Sequence, residues 1–395
     1  MKRLFFVFAL LIPFITDAQT IKTDVLILGN GNAAFAAGIQ ASESGVNSIV
    51  VTQSDGFKVS DFKNFRQSGV AKAFERKARK ALKLADSVPL PIITNQIFNA
   101  VVKTWSDSSK LFDVINNTPL YEIKRSGNGW EARVNKDKSI KARVLIITDH
   151  PEQVYTALKV QVLKPAEATP VNYDDHAYRT SVGAIGESLN FISLYNLLIP
   201  NQENILYIGP DHLETGQAAG ATAAYAAFFQ TKTSLSNLKR IQGELLSYKL
   251  SLMPFEDVKI ADSNWLAIQK VGITGILKAE LKNEKLLLNP EKVVSYGEIK
   301  QPIKDYYYKA QIWFDDHKNV PINLENTISM VCYVGNKAPE ATKTEIEKKW
   351  VKIYKFNSVF DMKKLLTRRE FSVIINEYLK PFDVVNVDRT GRVIR

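Results

Sequence analysis

Residues 24–52 constrain the fold more than any other stretch of this chain. Asp24-Val-Leu-Ile-Leu28 is a short apolar run that ends in Gly29-Asn-Gly31-Asn-Ala-Ala34. Small residues continue to Gly45, and Asn47-Ser-Ile-Val-Val-Thr52 follows. The pattern predicts strand, tight turn, helix and second strand, which is the layout of a dinucleotide-binding βαβ unit. Gly29 allows the turn, Gly31 lets the backbone approach a pyrophosphate, and Ala34 in the third-glycine position keeps the helix close to the sheet. The helix N-terminus adds free N–H groups and the positive end of its dipole. Where an acidic residue would close the second strand and bind a ribose, this chain has Gln53, whose amide bonds a hydroxyl less strongly than a carboxylate does. The same residues also fit a βαβ unit that keeps the fold and has lost the cofactor.

A second element of this type lies downstream. Asn204-Ile-Leu-Tyr-Ile-Gly-Pro-Asp211 is a short strand leading into Glu214-Thr-Gly-Gln-Ala-Ala-Gly-Ala-Thr-Ala-Ala. An ordinary core helix buries area with Leu and Ile. A helix built on Gly216, Ala219, Gly220 and Ala223 implies something flat or crowded alongside, either a ring system or a closely packed neighbour. Between the two elements, Asp61–Leu84 reads as a basic helix and 95–105 as a second helix. Leu120–Lys124 and Gly129–Asn135 flank Arg125-Ser-Gly-Asn128 as a hairpin, and Lys141–Asp149 reads as a buried strand.

The Gly29–Ala34 turn, the Ile146–Asp149 strand end and the Asn204–Ala227 strand and helix together resemble FAD-dependent oxidoreductases of the two-dinucleotide-domain flavoprotein superfamily. The variety they look most like is the exported bacterial group often labelled FAD-dependent oxidoreductase or xanthan lyase-like. The resemblance covers about residues 23–230. It implies that Gly29, Gly31 and Ala34 hold the FAD pyrophosphate, that Gln53 stands at the ribose position, and that Asp211 reaches the ribityl chain or phosphate. It also places Gly216 and Gln217 near the flavin ring. The chain departs from the pattern at Gln53, at Ile147-Thr-Asp149 in place of Ala-Thr-Gly, and at Asp61-Phe-Lys-Asn-Phe-Arg66 in place of a glycine-rich loop.

Residues 1–18 carry Lys2 and Arg3, an apolar run from Leu4 to Ile15 and small residues at Thr16-Asp-Ala18. This is the composition of a secretory signal peptide cleaved after Ala18, and the expected location is periplasmic or secreted. Cys332 is the single cysteine, so an internal disulfide and a Cys-x-x-Cys redox site are excluded. The net charge of +11 comes from lysines spread along the chain, with clusters at 72–83, 343–355 and 363–369. It fits a solvated basic surface or attraction to anionic polysaccharide or lipid. Nucleic acid is not an expected partner, and no other stretch suits a membrane span.

Residues 255–298 resemble an S-layer-homology-like module, with Trp265 and Ile268 on one helical face and Gly272 and Gly275 as helix stops. Thr367-Arg-Arg-Glu370 has capping-box spacing before a last helix, and 382–393 reads as a strand pair. A cell-envelope polymer is the partner this region implies; a packing domain without a ligand is the other reading. None of His150, His176, His212 and His317 stands in a metal-ligand spacing, so no metal site is expected. His212, next to Asp211, is the one histidine placed to move a proton beside a flavin.

The expected fold is α/β: a Rossmann-like FAD/NAD(P)-binding domain over 22–235 and a mostly helical C-terminal domain over 245–395. The expected activity is that of an exported FAD-dependent oxidoreductase acting on a small organic or sugar-related substrate. The alternative is a non-catalytic scaffold on the same fold that binds envelope polysaccharide or a protein partner.

Overall fold

A computed structural model describes residues 19–59, 68–135, 138–149, 151–159, 164–185, 189–209 and 211–394. The expected signal peptide, His150 and the Asp61–Arg66 segment lie outside the described residues.

Strand β1 (Gln19–Leu28), helix α1 (Asn32–Glu43) and strand β2 (Ser48–Val51) form the expected βαβ unit. The strands pair in parallel, with Val25 beside Ser48 and Leu28 beside Val51. Helices α2 (Gly69–Ala81) and α3 (Asn95–Ser108) cross to β3 (Phe112–Ile115), which joins β2, again in parallel. Ser68 caps α2 and Thr94 caps α3, each accepting a backbone N–H. The hairpin β4 (Leu120–Ser126) and β5 (Gly129–Val134) forms where Arg125–Asn128 signals it.

Strand β6 (Lys138–Ile147) organises the sheet. Along its whole length it pairs with β1 in parallel. On its other edge its first half pairs with β5, and Leu145–Ile147 pair with β10 (Ile205–Tyr207). Val144 to Ile147 are fully buried, as a strand covered on both faces must be. The parallel order is therefore β3-β2-β1-β6-β10, with the antiparallel β4-β5 hairpin continuing the other end of β6.

After α4 (Pro151–Leu158), strands β7 (Thr169–Pro170), β8 (Ser181–Ala184) and β9 (Asn190–Ser193) make a small antiparallel sheet, followed by the short α5 (Leu194–Leu197). Helix α6 (Leu213–Phe228) then packs directly on α1. A Cβ on Gly216 would come within 2.2 Å of the Ala33 carbonyl oxygen, and one on Gly220 within 2.4 Å of that of Ala37. The small residues of α6 serve backbone-to-backbone contact between two helices. Of the ring system and the closely packed neighbour that the sequence left open, the glycines meet the second, the backbone of α1.

The C-terminal part comprises α7 (Leu238–Ser247), α8 (Trp265–Thr274), the hairpin β11 (Glu280–Lys282) and β12 (Lys285–Leu287), and α9 (Tyr296–Tyr306) to α10 (Tyr308–Asp316). Helices α11 (Leu324–Gly335), α12 (Pro339–Lys349), α13 (Arg368–Tyr378) and α14 (Pro381–Val384) follow, and β13 (Asn386–Val387) pairs with β14 (Val393–Ile394). Thr367 and Glu370 make the expected reciprocal capping box, and Ser295 and Glu298 make another on α9. The starts of α9, α11 and α13 lie side by side: Val294 N–H bonds the Leu366 carbonyl at 2.9 Å and Leu366 N–H bonds that of Ile322 at 3.0 Å. Buried Arg368 ties this junction together, donating to the Leu288 carbonyl at 2.6 Å and to Glu298 at 2.7 Å. Gly275, in the left-handed region at φ 74°, ends α8 as its position implies, whereas Gly272, expected as a stop as well, lies inside the helix where a Cβ would come within 2.5 Å of the Phe255 ring.

One apolar core runs from β1 through α6 to α13 across the boundary expected near residue 240. A buried polar network crosses it as well. Arg179 donates from Nε to the Thr274 carbonyl at 2.9 Å and from its guanidinium to that of Gly391 at 3.3 Å. The Gln242 amide donates to the carbonyls of Arg179 and Ser181, and Gln269 holds the backbone of Leu252 and Met253. Among the described residues no helix is long and apolar enough to cross a membrane.

Candidate functional site

In an open α/β sheet, ligands bind at the carboxyl ends of the strands where the chain leaves in opposite directions. Here β1 leads through α1 to β2 on one side, while β6 and β10 lie on the other. Three segments meet at that edge: the Gly29–Gly31 turn, Thr148-Asp149 after β6, and the approach to α6 at Asp211.

Glycine is required twice in the first turn. Gly29 has φ 151°, and a Cβ there would lie 1.8 Å from Thr148 Oγ1. At Gly31 the backbone is extended, but a Cβ would lie 2.3 Å from Asp211 Oδ1. The Asp211 carboxylate fills that space because it caps α1 from outside: Ala33 N–H donates to Oδ1 at 2.8 Å. Gly31, the N-cap residue, has no side chain to do this itself. Partial desolvation pushes the Asp211 carboxyl above the usual range, against the pull of the Ala33 and Asn32 N–H groups and of His212. Ala34 is fully buried, consistent with a tight helix–sheet seam.

The wall beside the turn is polar. Asn30 donates from Nδ2 to Ser54 Oγ at 3.0 Å, and its carbonyl accepts the Lys58 N–H at 2.7 Å. Thr52 Oγ1 donates to the Ser54 carbonyl at 2.7 Å. These bonds shape the turn after β2 and leave Gln53 exposed at the strand end, where the ribose position was expected. His212 is the N-cap residue of α6, exposed next to Asp211, and its side chain makes no capping bond.

Gly216 and Gln217 are placed differently from the remaining site residues. Gly216 is at the α1 backbone, as above. The Gln217 side chain is fully buried and committed: its Oε1 accepts from Ser68 Oγ at 2.8 Å and its Nε2 donates to Gln40 Oε1 at 2.8 Å. Gly29, Gly31, Asp211 and His212 therefore gather at one edge, Gln53 flanks it, and Gly216 and Gln217 build the helix pair behind it. Ser54 joins the site without having been singled out in the sequence, and only the sheet order brings it there. Asn30 lies between the two glycines of the turn, and Thr148 lies in the Ile147-Thr-Asp149 strand end that the resemblance had already marked. Among the described residues no group of three His, Cys, Asp or Glu is arranged to hold a metal ion.

No protein-family pattern matches the sequence, and no curated protein matches it. Solved structures with partial likeness include a bacillithiol disulfide reductase from Staphylococcus aureus, at 16% identity over 33% of this chain and 39% of that one, TM-score 0.22. A thioredoxin reductase from T. acidophilum matches at 17% identity over 33% and 38%, TM-score 0.21. The flavin-dependent monooxygenase PieE, solved with FAD and substrate, matches at 12% identity over 38% and 33%, TM-score 0.28. The chain thus spans less than two fifths of the length of these proteins, and likeness at this level carries no functional assignment.

Proposed function

We propose that this chain binds FAD at the carboxyl edge of its parallel sheet and belongs functionally with flavin-dependent oxidoreductases of small organic or sugar-related substrates. The observation that carries the reading is the convergence of the Gly29–Gly31 turn, the α1 N-terminus and the Asp211 carboxylate at the topological switch point. The donor set suits such a group. Gly29 and Gly31 let Thr148 and Asp211 close over the turn, the α1 N-terminus would favour a pyrophosphate once Asp211 gives up the Ala33 N–H, Ala34 keeps the helix close, and Asp211 is suited to a ribityl hydroxyl. A phosphate here would share the helix end with Asp211, whose raised pKa lowers the cost of neutralising it. Gln53 would meet the adenosine ribose. Gly216 and Gln217 would support the ring from behind, through α1. When bound, FAD supplies two-electron redox chemistry; the protein's part is to orient it, and exposed His212 is the residue suited to hold or move a proton at the rim.

The proposal carries export with it, supported by the composition of residues 1–18, and attachment to an envelope polymer through the C-terminal part, supported by its sequence pattern. A second reading, a non-catalytic scaffold, is favoured by one observation: Gly216 and Gly220 of α6 are taken up by close contact with the α1 backbone.

The test is the visible absorption spectrum of the purified protein before and after loading with FAD and removing the excess. A retained flavin spectrum that disappears in Gly31→Val supports the proposal. A protein that stays colourless, or a Gly31→Val variant with unchanged flavin, overturns it.

A further inference from the structure

A groove of about 730 Å³ lies between α1, α2 and the turn after α7. It is remote from the site above: Gln40, on its floor, is eight residues along α1 from Asn32, about 12 Å at the helical rise. Its volume falls within the range of small-molecule pockets, about 300–1,000 Å³.

The floor is apolar, made by Ile39, Val70, Ala73 and Ile260, and the buried Gln40–Gln217 amide pair closes it. The rim is cationic on one side. Lys72 and Arg76 are four apart on α2 and so share a face. Both are exposed, and neither has a partner among the described residues. Arg79, the next basic residue lining the groove, is by contrast held by Glu75 at 3.1 Å and by the carbonyls of Ala85 and Val88. Lys249 lines the other wall, but its ammonium is taken up by the Trp265 ring, 4.8 Å from the ring centre. Three carboxylates also line the groove: Glu75 is taken by Arg79, and Glu43 and Asp86 come from two separate segments.

An apolar floor under a paired, uncommitted cationic edge is complementary to a molecule with an apolar body and an anionic end. We infer that this groove is a binding site for an amphipathic organic anion, such as a medium-chain carboxylate, with Lys72 and Arg76 holding the anionic end.

The probe is 8-anilinonaphthalene-1-sulfonate, read by fluorescence on the full chain, beside the neutral N-phenyl-1-naphthylamine. The sulfonate should bind saturably. Decanoate should displace it, and decanol should not. The double variant Lys72→Glu/Arg76→Glu should weaken sulfonate binding about tenfold or more, the effect of about 1.4 kcal/mol of lost attraction, and leave the neutral probe in place. Ala73→Trp should remove both probes by filling the floor. Lys80→Glu, on the same helix outside the groove, should change neither, and thermal unfolding of each variant checks its fold. Sulfonate binding that is absent from the start, that survives the double charge reversal within about twofold, or that survives Ala73→Trp in a folded variant overturns the proposal. Gly31→Val separates the two sites: it should abolish flavin loading and leave the sulfonate bound.

Discussion

Asp211 and Ala33 are 178 positions apart in the chain, yet the Asp211 carboxylate accepts the Ala33 N–H at 2.8 Å. One bond thereby closes the N-terminus of α1, fixes the entrance of α6 and explains why position 31 carries no side chain. Structure and candidate chemistry meet in the same atoms.

Removing that cap should cost stability. Asp211→Ala is expected to lower the unfolding free energy by about 1 kcal/mol, the usual value of an N-cap acceptor. Asp211→Asn, which keeps an acceptor oxygen, should lose less. Urea unfolding of the two variants checks the order, and equal stability of Asp211→Ala and the parent protein would count against the cap.

Helical glycines should respond in opposite directions to the same change. Gly243 in α7 faces open space, so Gly243→Ala should stabilise by about 0.5–1 kcal/mol through helix propensity. At Gly220 the new methyl group would meet the Ala37 carbonyl oxygen at 2.4 Å. Gly220→Ala should therefore destabilise by about 1–3 kcal/mol, as overpacking does. Chemical denaturation of both variants tests whether α1 and α6 touch as closely as described.

Arg179 should be hard to replace. It is 6% exposed and bonds two carbonyls from distant parts of the chain, those of Thr274 and Gly391. Arg179→Met should cost about 1.5–3 kcal/mol, the range for hydrogen bonds to charged groups. Arg179→Lys should not restore it, because a point ammonium does not reproduce the planar fork. Loss of protection in hydrogen exchange at the Thr274–Gly275 turn would locate the damage.

Glu203 gives a pH dependence. Partial desolvation pushes its carboxyl up, but the Ser234 hydroxyl and N–H, Lys232 and the Thr233 hydroxyl outweigh that and hold it below the usual value. With the folded pKa depressed, the unfolded chain takes up the proton first as pH falls. The stabilisation is present above the unfolded value of about 4.3 and is lost as pH drops through the folded one. Glu203→Gln should flatten this part of the stability profile between about pH 5 and pH 3, measured by urea midpoints.

Much of the first half was legible because its signals are local. The alternation of apolar strand and glycine turn placed β1, α1 and β2, and Ser-Gly-Asn placed the β4–β5 turn. The Thr367/Glu370 spacing placed the start of α13. Asp211 was marked as a site residue only by what the family resemblance implies. The same reading could not assign Gly216 and Gln217 to one side of their helix or the other. A helix of small residues has almost no hydrophobic face, so nothing in its periodicity shows what lies against it.

The sequence by itself determined the parallel βαβ unit, the positions of its glycines, the capping box of α13 and the glycine stop of α8, because each depends on backbone preferences and side chains only a few residues apart. The tertiary structure decided that Asp211 caps α1, that the close neighbour of Gly216 and Gly220 is the α1 backbone, and that Arg179 joins the two halves around one core. Those outcomes depend on which segments the sheet order brings within bonding distance, and contacts across tens or hundreds of residues leave no spacing in the chain to be read.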